Sequence, residues 1–581
     1  MAARPLKFGS TVTAAVVTVS LLAAPGHAAQ GVGRVTAWGY NADGLLGNGS
    51  TTNSTVPVNT VGALVGKTVT VISVGSRHVC AVADGRAYCW GSNAKGQLGN
   101  NSTTDSLLPV AVDVTGVLAG KTVTDISAGL EHTCAVADGA AFCWGSNYYK
   151  ALGNDSTMDS SAPVAVNVSG VLAGRTISAI SAGQKHTCAI SQGRAFCWGA
   201  GGRLGDGTVT ESAVPVAVAT SGVLFGKTVT VISANAQHTC AVADGQGFCW
   251  GVGLNGQLGN GANTSSYFPV AVNTSGPLAS RTLSDISAGE FHSCAVAEGR
   301  AVCWGAGLSG ELGRGSTTNS PLPVAVDTTG VLAGRTVTSI SAGLSRTCAV
   351  ADGRAVCWGF NGGGLGNNSV ADSTTPVSVD VSGVLAGTRV SAISTAGVTA
   401  ALAASAPQAP TAVVASPRNG QVEVSWTPAD DGGSPVLEYV ATATPGGASC
   451  STTTRSCVVP GLTNGTAYTL TVTARNAIGA SVASAPSTPV TPRTPAPGKV
   501  VGLKASVRPG KVKVTWKSTM GASTYRVRIS KPGGRTFRAW KSTKKRAFSA
   551  SVRQSAKYRF QVLAVGTGGR GPVTTIRFRG K

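Results

Sequence analysis

The stretch from Cys80 to Gly99, CAVADGRAYCWGSNAKGQLG, returns in close copies at near-constant intervals through the first two thirds of the chain, and any fold must accommodate that period. Two short alternating apolar runs flank Asp84-Gly85, a dipeptide suited to a two-residue type I′ turn because glycine tolerates positive φ. Each copy therefore reads as a tight β-hairpin. With Asp84 and Gly85 as the turn, Ala83 faces Arg86, Val82 faces Ala87, Ala81 faces Tyr88, and Cys80 faces Cys89. Alternation from the closing pair makes the two cysteines a non-hydrogen-bonded pair, where Cα atoms approach to about 4.5 Å, at the short end of the disulfide range. The spacing recurs at Cys134/Cys143, Cys188/Cys197, Cys240/Cys249, Cys294/Cys303 and Cys348/Cys357, so six hairpins are expected to be stapled across their strands.

The tryptophan after each hairpin falls at Trp38, Trp90, Trp144, Trp198, Trp250, Trp304 and Trp358, which makes seven units. Each continues through a glycine-rich turn ending in Leu-Gly, a Pro-Val strand such as Pro109 to Val112, a loop such as Gly116 to Lys121 and a further strand such as Thr122 to Ser127. Four short strands per unit of about 50 residues indicate a propeller blade. The ends of the array fit a closed ring. Val35 to Trp38 is the second half of a hairpin without a first, and Thr399 to Leu402 a first half without a second. Joined, they make one composite blade whose two cysteine positions hold Ala37 and Ala400.

Arg4 and Lys7 precede the apolar run Val12 to Ala24, and Gly26-His27-Ala28 offers small residues where a signal peptidase reads. Residues 1–28 are expected to be a signal peptide, cut after Ala28 or Ala29. No later run of about 20 apolar residues could span a membrane as a helix. The paired cysteines agree with an oxidising compartment, and localisation is expected to be extracellular or at the cell wall. The 581 residues, poor in charge and rich in Gly, Val, Thr and Ser, suit several β domains.

The pattern Ser127-Ala128-Gly129, His132-Thr133, the Asp138-Gly139 turn, Trp144-Gly145-Ser146-Asn147 and Leu152-Gly153 resembles the regulator of chromosome condensation repeat, which builds seven-bladed propellers. The resemblance covers residues 30–404 and is specific for fold. The eukaryotic founder is a guanine nucleotide exchange factor that binds chromatin, whereas other relatives are binding scaffolds, and some secreted bacterial ones bind β-lactamases. An exported chain would not meet a small GTPase, and no hairpin outside the repeat frame offers an exchange wedge. What the resemblance implies is a protein-binding surface with an unnamed partner.

His78, His132, His186, His238 and His292 each stand two residues before a cysteine, so His and Cys share a strand face. A zinc site in every blade is the sharper interpretation. A structural role is preferred, because Arg346 replaces the histidine while Cys348 and Cys357 remain. No metal and no cofactor are expected. Function should sit where one blade departs from the others: Tyr148-Tyr149-Lys150 replaces the polar turn seen at Ala94-Lys95-Gly96, Tyr267-Phe268 precedes Pro269, and Phe291 stands where other blades carry Arg77, Glu131, Lys185 or Gln237. Exposed Tyr, Phe and Arg are types enriched in protein hot spots.

Residues 405–409 read as a linker. Residues 410–493 resemble a fibronectin type III domain, with Trp426 on an alternating strand, Tyr468 in the tyrosine-corner position, and Cys450 and Cys457 as a seventh local pair. After a second linker at 494–498, residues 499–581 repeat the pattern with Trp516, Tyr525 and Tyr558. From Pro497 to Lys581 there are 22 Lys and Arg and no Asp or Glu. The net charge is +23, so the rest of the chain, with 25 basic and 24 acidic groups, carries +1. Alternation places Lys511, Lys513, Lys517, Arg526 and Arg528 outside, and Lys544-Lys545-Arg546 forms a turn cluster. A polyanion would relieve this self-repulsion. An anionic cell-wall polymer or polysaccharide is the expected partner, ahead of nucleic acid.

No HExxH, Walker loop or GxSxG appears. Fibronectin type III domains also accompany secreted polysaccharide-degrading enzymes, so a glycosidase-like protein is the rival class, with Glu290 and Glu311 as its only loop glutamates worth testing. The expectation is an all-β, monomeric, non-enzymatic binding scaffold: a seven-bladed propeller followed by two immunoglobulin-like sandwiches.

Overall fold

A computed structural model describes residues 29–581; the expected signal peptide lies outside them. Blade 1 is an antiparallel meander of Val69–Val74, His78–Ala83, Arg86–Gly91 and Ser106–Ala111. Blades 2 to 6 repeat it, with innermost strands Val123–Ala128, Ile177–Ala182, Val229–Ala234, Leu283–Ala288 and Val337–Ala342. Asp84 and Gly85 both take positive φ, 51° and 71°, which gives the hairpin its two-residue turn and sets Cys80 opposite Cys89. The two middle strands of each blade lie between neighbours, so nearly every residue in them is buried. Their Ala, Val and Cys side chains are small enough for the faces to pack closely.

Blade 7 is composite. Arg389–Thr395 and Val398–Ala404 pair with each other, and Ala29–Gly39 then continues the sheet, with Ala37 opposite Ala400, before Ser54–Asn59 completes it. The N-terminal strand reaches further back than the hairpin frame alone implies. Its first residues leave blade 7 and pair with the innermost strand of blade 1, Ala29 opposite Ile72 and Gly33 opposite Val69. One strand thus belongs to both blades at the closure.

The centre is closed by a ring of serine hydroxyls. Ser73, Ser127, Ser181, Ser233, Ser287, Ser341 and Ser394, one on each innermost strand, accept backbone N–H groups of Ala128, Ala182, Ala234, Ala288, Ala342, Thr395 and Val74 at 2.8 to 3.0 Å. The last bond returns from blade 7 to blade 1. Innermost strands are edges, and these bonds satisfy donors that would otherwise be buried unpaired.

A second ring locks the blades further out. The Trp144 indole and the Thr133 hydroxyl of blade 2 both donate to the Gln97 carbonyl of blade 1, at 2.9 and 2.8 Å. At the closure, Trp38 and Thr399 come from opposite ends of the propeller sequence, and both donate to the Gly364 carbonyl of blade 6 at 3.0 Å.

Two sandwiches follow. In the first, Thr411–Arg418, Gln421–Thr427 and Ser456–Val459 face Ser449–Thr452, Glu438–Thr444 and Thr469–Arg475 around Trp426 and Tyr439. The Tyr468 hydroxyl accepts the Thr463 N–H at 3.1 Å. In the second, Lys504–Arg508, Lys511–Thr515 and Ala547–Ser551 form one sheet, and Lys541–Thr543, Thr524–Ile529, Lys557–Gly566 and Thr574–Arg579 the other, around Trp516, Tyr525 and Phe560. Here the Tyr558 hydroxyl accepts the Arg553 N–H at 2.8 Å, the same five-residue step as in the first sandwich.

Candidate functional site

The meander puts the loops before each histidine strand and the loops after each tryptophan on one face of the ring. Tyr148, Tyr149 and Lys150 lie there in blade 2. Their loop is built on Asn147, whose Oδ1 accepts the Leu152 N–H at 3.0 Å, whose Nδ2 donates to the Ser156 carbonyl at 2.8 Å, and whose own N–H reaches Asp159 at 2.7 Å. Lys150 has φ 61°, a conformation held at the equivalent positions by Gly96, Gly256 and Gly310. A side chain there costs about 1 to 2 kcal/mol relative to glycine. The Lys150 ammonium pairs with Glu211 at 2.8 Å.

The strained turn displays its neighbours. Tyr148 is 78% exposed and meets Tyr149 edge-on at 4.8 Å, while the Lys185 ammonium of blade 3 lies 5.0 Å from the Tyr149 ring centre. Together with Lys95 and Glu131 these side chains border a cleft of about 280 Å³. Aromatic faces, a carboxylate and two ammonium groups at one opening can take a partner's side chain that has both an apolar body and a charge.

The other loop candidates are not brought to this cleft. Tyr267 and Phe268 stand on the outer strand Ser266–Ala271 of blade 4, where their rings pack over Gly202 and Gly207 of blade 3. Phe291 is in blade 5. Sequence comparison of the repeats missed two leucines: Leu254 and Leu308, at the positions equivalent to Tyr148, are 68% and 73% exposed. Their signal was available as apolar residues at a loop position held elsewhere by Ala94 or Gly202.

The histidines work inside the ring. His78 Nε2 lies 2.7 Å from the Thr133 hydroxyl, and the same contact joins His132 to Thr187, His186 to Thr239, His238 to Ser293 and His292 to Thr347. Because the Thr133 proton goes to the Gln97 carbonyl, the imidazole must donate from Nε2–H, leaving Nδ1 unprotonated. Burial pushes His78 and His238 down to about 3 and His132 and His292 to about 4, and lowers His186 as well. The neighbouring sulfurs are joined as Cys80–Cys89, Cys134–Cys143, Cys188–Cys197, Cys240–Cys249, Cys294–Cys303 and Cys348–Cys357, with Cα atoms 4.0 to 4.1 Å apart. Cys450–Cys457 is the seventh disulfide. Among the described residues, no group of His, Cys, Asp or Glu is arranged to hold a metal ion. Where Arg346 replaces histidine, its buried guanidinium lies against Gly364, and burial lowers it to about 10. Val398 takes the position in blade 7, and its counterpart across the closure is Val79 rather than a hydroxyl, so both members of that pair are absent together.

Glu311 is a turn residue. Its carboxylate accepts the Ser309 N–H at 2.8 Å, as the Gln97 and Gln257 amide oxygens accept Lys95 and Asn255 N–H, and its carbonyl receives Trp358 and Thr347. Burial raises its pKa, and that of the half-buried Glu290.

In the last sandwich, the cations selected from sequence divide between two sheets. Lys511 and Lys513 lie on the outer face of one, with Lys517 just beyond, while Arg526 and Arg528 lie on the other; Lys544, Lys545 and Arg546 form the turn between strands. Sequence analysis did not select Arg535, Arg577 and Arg579, which with Lys557 and Arg559 border a groove of about 500 Å³.

These features define a single-repeat, seven-bladed propeller, carrying its variable chemistry in loops over a uniform interior, followed by two fibronectin-type sandwiches. The chain belongs to the RCC1-like domain family, whose profile matches residues 6–294 and 84–402, two overlapping alignments of one repeat array. The fibronectin type III profile matches residues 405–490. The ultraviolet-B receptor UVR8 of Arabidopsis thaliana is 31% identical over 300 residues, half of this chain and 65% of the receptor. The E3 ubiquitin-protein ligase HERC2 of Homo sapiens is 29% identical over 271 residues, 45% of this chain but 5% of the ligase. The chain thus spans less than two thirds of either relative. Among solved structures, human WBSCR16 superposes with TM-score 0.56 at 21% identity, covering 64% of this chain and all of that one. Prp20p from Saccharomyces cerevisiae gives 0.55 at 19%, covering 65% and 93%. No helix among the described residues is long and apolar enough to cross a membrane.

Proposed function

We propose that this protein is an exported, non-enzymatic binding scaffold whose propeller docks a protein through the Tyr148 face and whose last sandwich contacts an anionic polymer of the cell envelope. The observation that carries the first half is the Tyr148-Tyr149-Lys150 turn. It keeps a lysine in a conformation suited to glycine, against local stability, and exposes the Tyr148 ring, with the half-buried Tyr149 against it, beside Lys185 and Glu131. RCC1-like domains generally act as binding or exchange-factor domains, which supports a scaffold and leaves the partner to experiment. Seven disulfides agree with an oxidising compartment. The absence of any acid from the last sandwich supports the second half.

The test is capture from culture filtrate and envelope extract by the immobilised full chain, read by mass spectrometry. One saturable protein, lost with Tyr148→Ala/Tyr149→Ala while the fold is retained, is the expected result. Turnover of an envelope polysaccharide that stops in Glu290→Gln or Glu311→Gln would replace the proposal with the enzymatic class.

A further inference from the structure

The outer face of the second sheet in the last sandwich carries two like-charge rungs. Strand pairing sets Arg559 directly opposite Arg577 and Lys557 directly opposite Arg579. Like charges facing one another across antiparallel strands destabilise the sheet, and no carboxylate side chain in residues 497–581 is available to compensate. The groove beside these rungs is completed by Arg535 from the loop above.

The groove is also prearranged. Arg559 donates through Nε to the Gly534 carbonyl and through Nη2 to the Arg535 carbonyl at 3.1 Å, and its guanidinium lies over Phe537. Arg528 is held by Gln561 at 2.8 Å and covers both Phe537 and Trp540, 4.5 and 4.4 Å from the ring centres. The loop is therefore fixed to the sheet by stacked arginines, while Arg577 and Arg579 stay exposed. Arginine forks suit oxyanions with two or more oxygens.

From this geometry we infer that the groove binds a linear polyol-phosphate chain, successive phosphates occupying the two rungs. The inference rests on the proposed polyanion contact of this sandwich and names its ligand class and place. Residues 557 and 559 are two apart on one strand, so the rungs are separated by about 6.8 Å. A phosphodiester repeat of six single bonds, as in a glycerol-phosphate chain, extends about 7 Å. A nucleic-acid strand has a similar backbone repeat but gains much of its affinity from bases stacking on free aromatic faces. Here the Phe537 and Trp540 faces are already occupied by arginine.

The test uses the full-length exported chain and a defined poly(glycerol phosphate), with polygalacturonate and oligo(dT) of equal charge number as comparisons. Arg577→Gln/Arg579→Gln is expected to weaken poly(glycerol phosphate) binding at least about tenfold and to flatten the dependence of log K on log salt by about one unit or more, near the loss of two contacts. The same variant should melt higher than the parent when no polymer is present, because two repulsive rungs are relieved. Lys511→Gln/Lys513→Gln, on the opposite sheet, should bind within about twofold of the parent. Binding that survives the groove variant, or depends on Lys511 and Lys513 instead, overturns the groove while leaving polyanion contact standing. Equal or tighter binding of polygalacturonate or oligo(dT) overturns the ligand class. Failure of the parent chain to bind any of the three polymers removes both this inference and the polyanion reading beneath it.

Discussion

Gly99 of blade 1 lies under the indole of Trp144 in blade 2, so close that a Cβ on Gly99 would stand 2.6 Å from Trp144 Nε1. The same approach pairs Gly153 with Trp198, Gly259 with Trp304, Gly313 with Trp358 and, across the closure, Gly366 with Trp38. The Leu-Gly ending of each loop is thus half of a lock whose other half is the next blade's tryptophan. Gly99→Ala must strain a backbone at φ 67° and also push the indole from its bond to Gln97. A loss of about 3 kcal/mol is expected, combining left-handed strain with overpacking. Gly120→Ala has similar φ, 70°, and open space around it, so it should cost only about 1 to 2 kcal/mol. Denaturant titration of the two variants checks the difference, and equal losses would remove the lock.

The seven disulfides should differ in access. The six propeller pairs are fully buried between blades, whereas Cys450 and Cys457 are partly exposed. Thiol exchange requires a reductant to reach sulfur. Mild reduction of the folded protein followed by alkylation is expected to label Cys450 and Cys457 first, the other twelve cysteines reacting only on unfolding. Early labelling of a propeller pair would contradict their placement.

Repetition made the propeller legible, since a local rule for Asp84-Gly85 set the register of Cys80 and Cys89, and seven copies of Trp and Leu-Gly counted the blades. Even the composite blade could be assembled from Ala37 and Ala400. What repetition could not show is a pairing that occurs once. Ala29 to Gly33 has no counterpart in the other units, so its place beside Val69–Val74 follows only from the closed ring. The groove was hidden for a related reason. Arg559 and Arg577 are eighteen positions apart and meet through a strand pairing that alternation along one strand does not specify. The exposure of Tyr148 was accessible as a departure from the repeat, but the left-handed backbone of Lys150 was not, because lysine is an unexpected residue for it.

Acid should loosen the ring through the histidines. An unfolded imidazole takes up its proton near pH 6.5, whereas burial holds His78, His132, His238 and His292 down to about 3 to 4 and His186 well below its ordinary value, so over that interval the unfolded state binds more protons and stability falls as pH falls. Asp125 and Asp285 oppose this. Burial raises them to about 7 and about 6 from 3.8, so each adds stability as pH falls through that interval. Five histidines against these two aspartates leave a net difference of about three protons between pH 4 and 6, or about 4 kcal/mol per pH unit at most, which the raised Glu290 and Glu311 reduce further. Thermal melts should therefore drop steeply below pH 6, and His292→Gln, which retains a donor toward Thr347, should reduce the slope by about one proton. A flat profile would mean that the imidazoles are not buried as described.

The closure can be tested from the N-terminal side, where a single strand serves two blades. A variant whose chain begins at Arg34, lacking residues 29–33, keeps the pairing of Ala37 with Ala400 and the Trp38 bond to Gly364. It deletes the pairing of Ala29 and Gln30 with Ile72 and Val71, and both bonds between Val32 and the Ser391 hydroxyl at 3.0 Å. Blade 7 would still be complete, but its tie to blade 1 would rest on the Ser394 bond to Val74, the Trp90 bond to the Leu45 carbonyl, the backbone bonds of Gly397 to Gly75 and Gly49 to Leu107, and packing. Three to four buried hydrogen bonds at about 1 kcal/mol each predict a loss of about 3 to 4 kcal/mol, with circular dichroism unchanged below the transition. Trp90→Phe removes another tie across the same seam, the indole bond from blade 1 to the Leu45 carbonyl of blade 7 at 2.8 Å. In the truncated chain its cost should exceed its cost in the full one, because both changes weaken the same seam. Simple additivity would show that the two changes act independently, and a truncated chain as stable as the parent would show that the strand's first five residues contribute nothing to closing the ring.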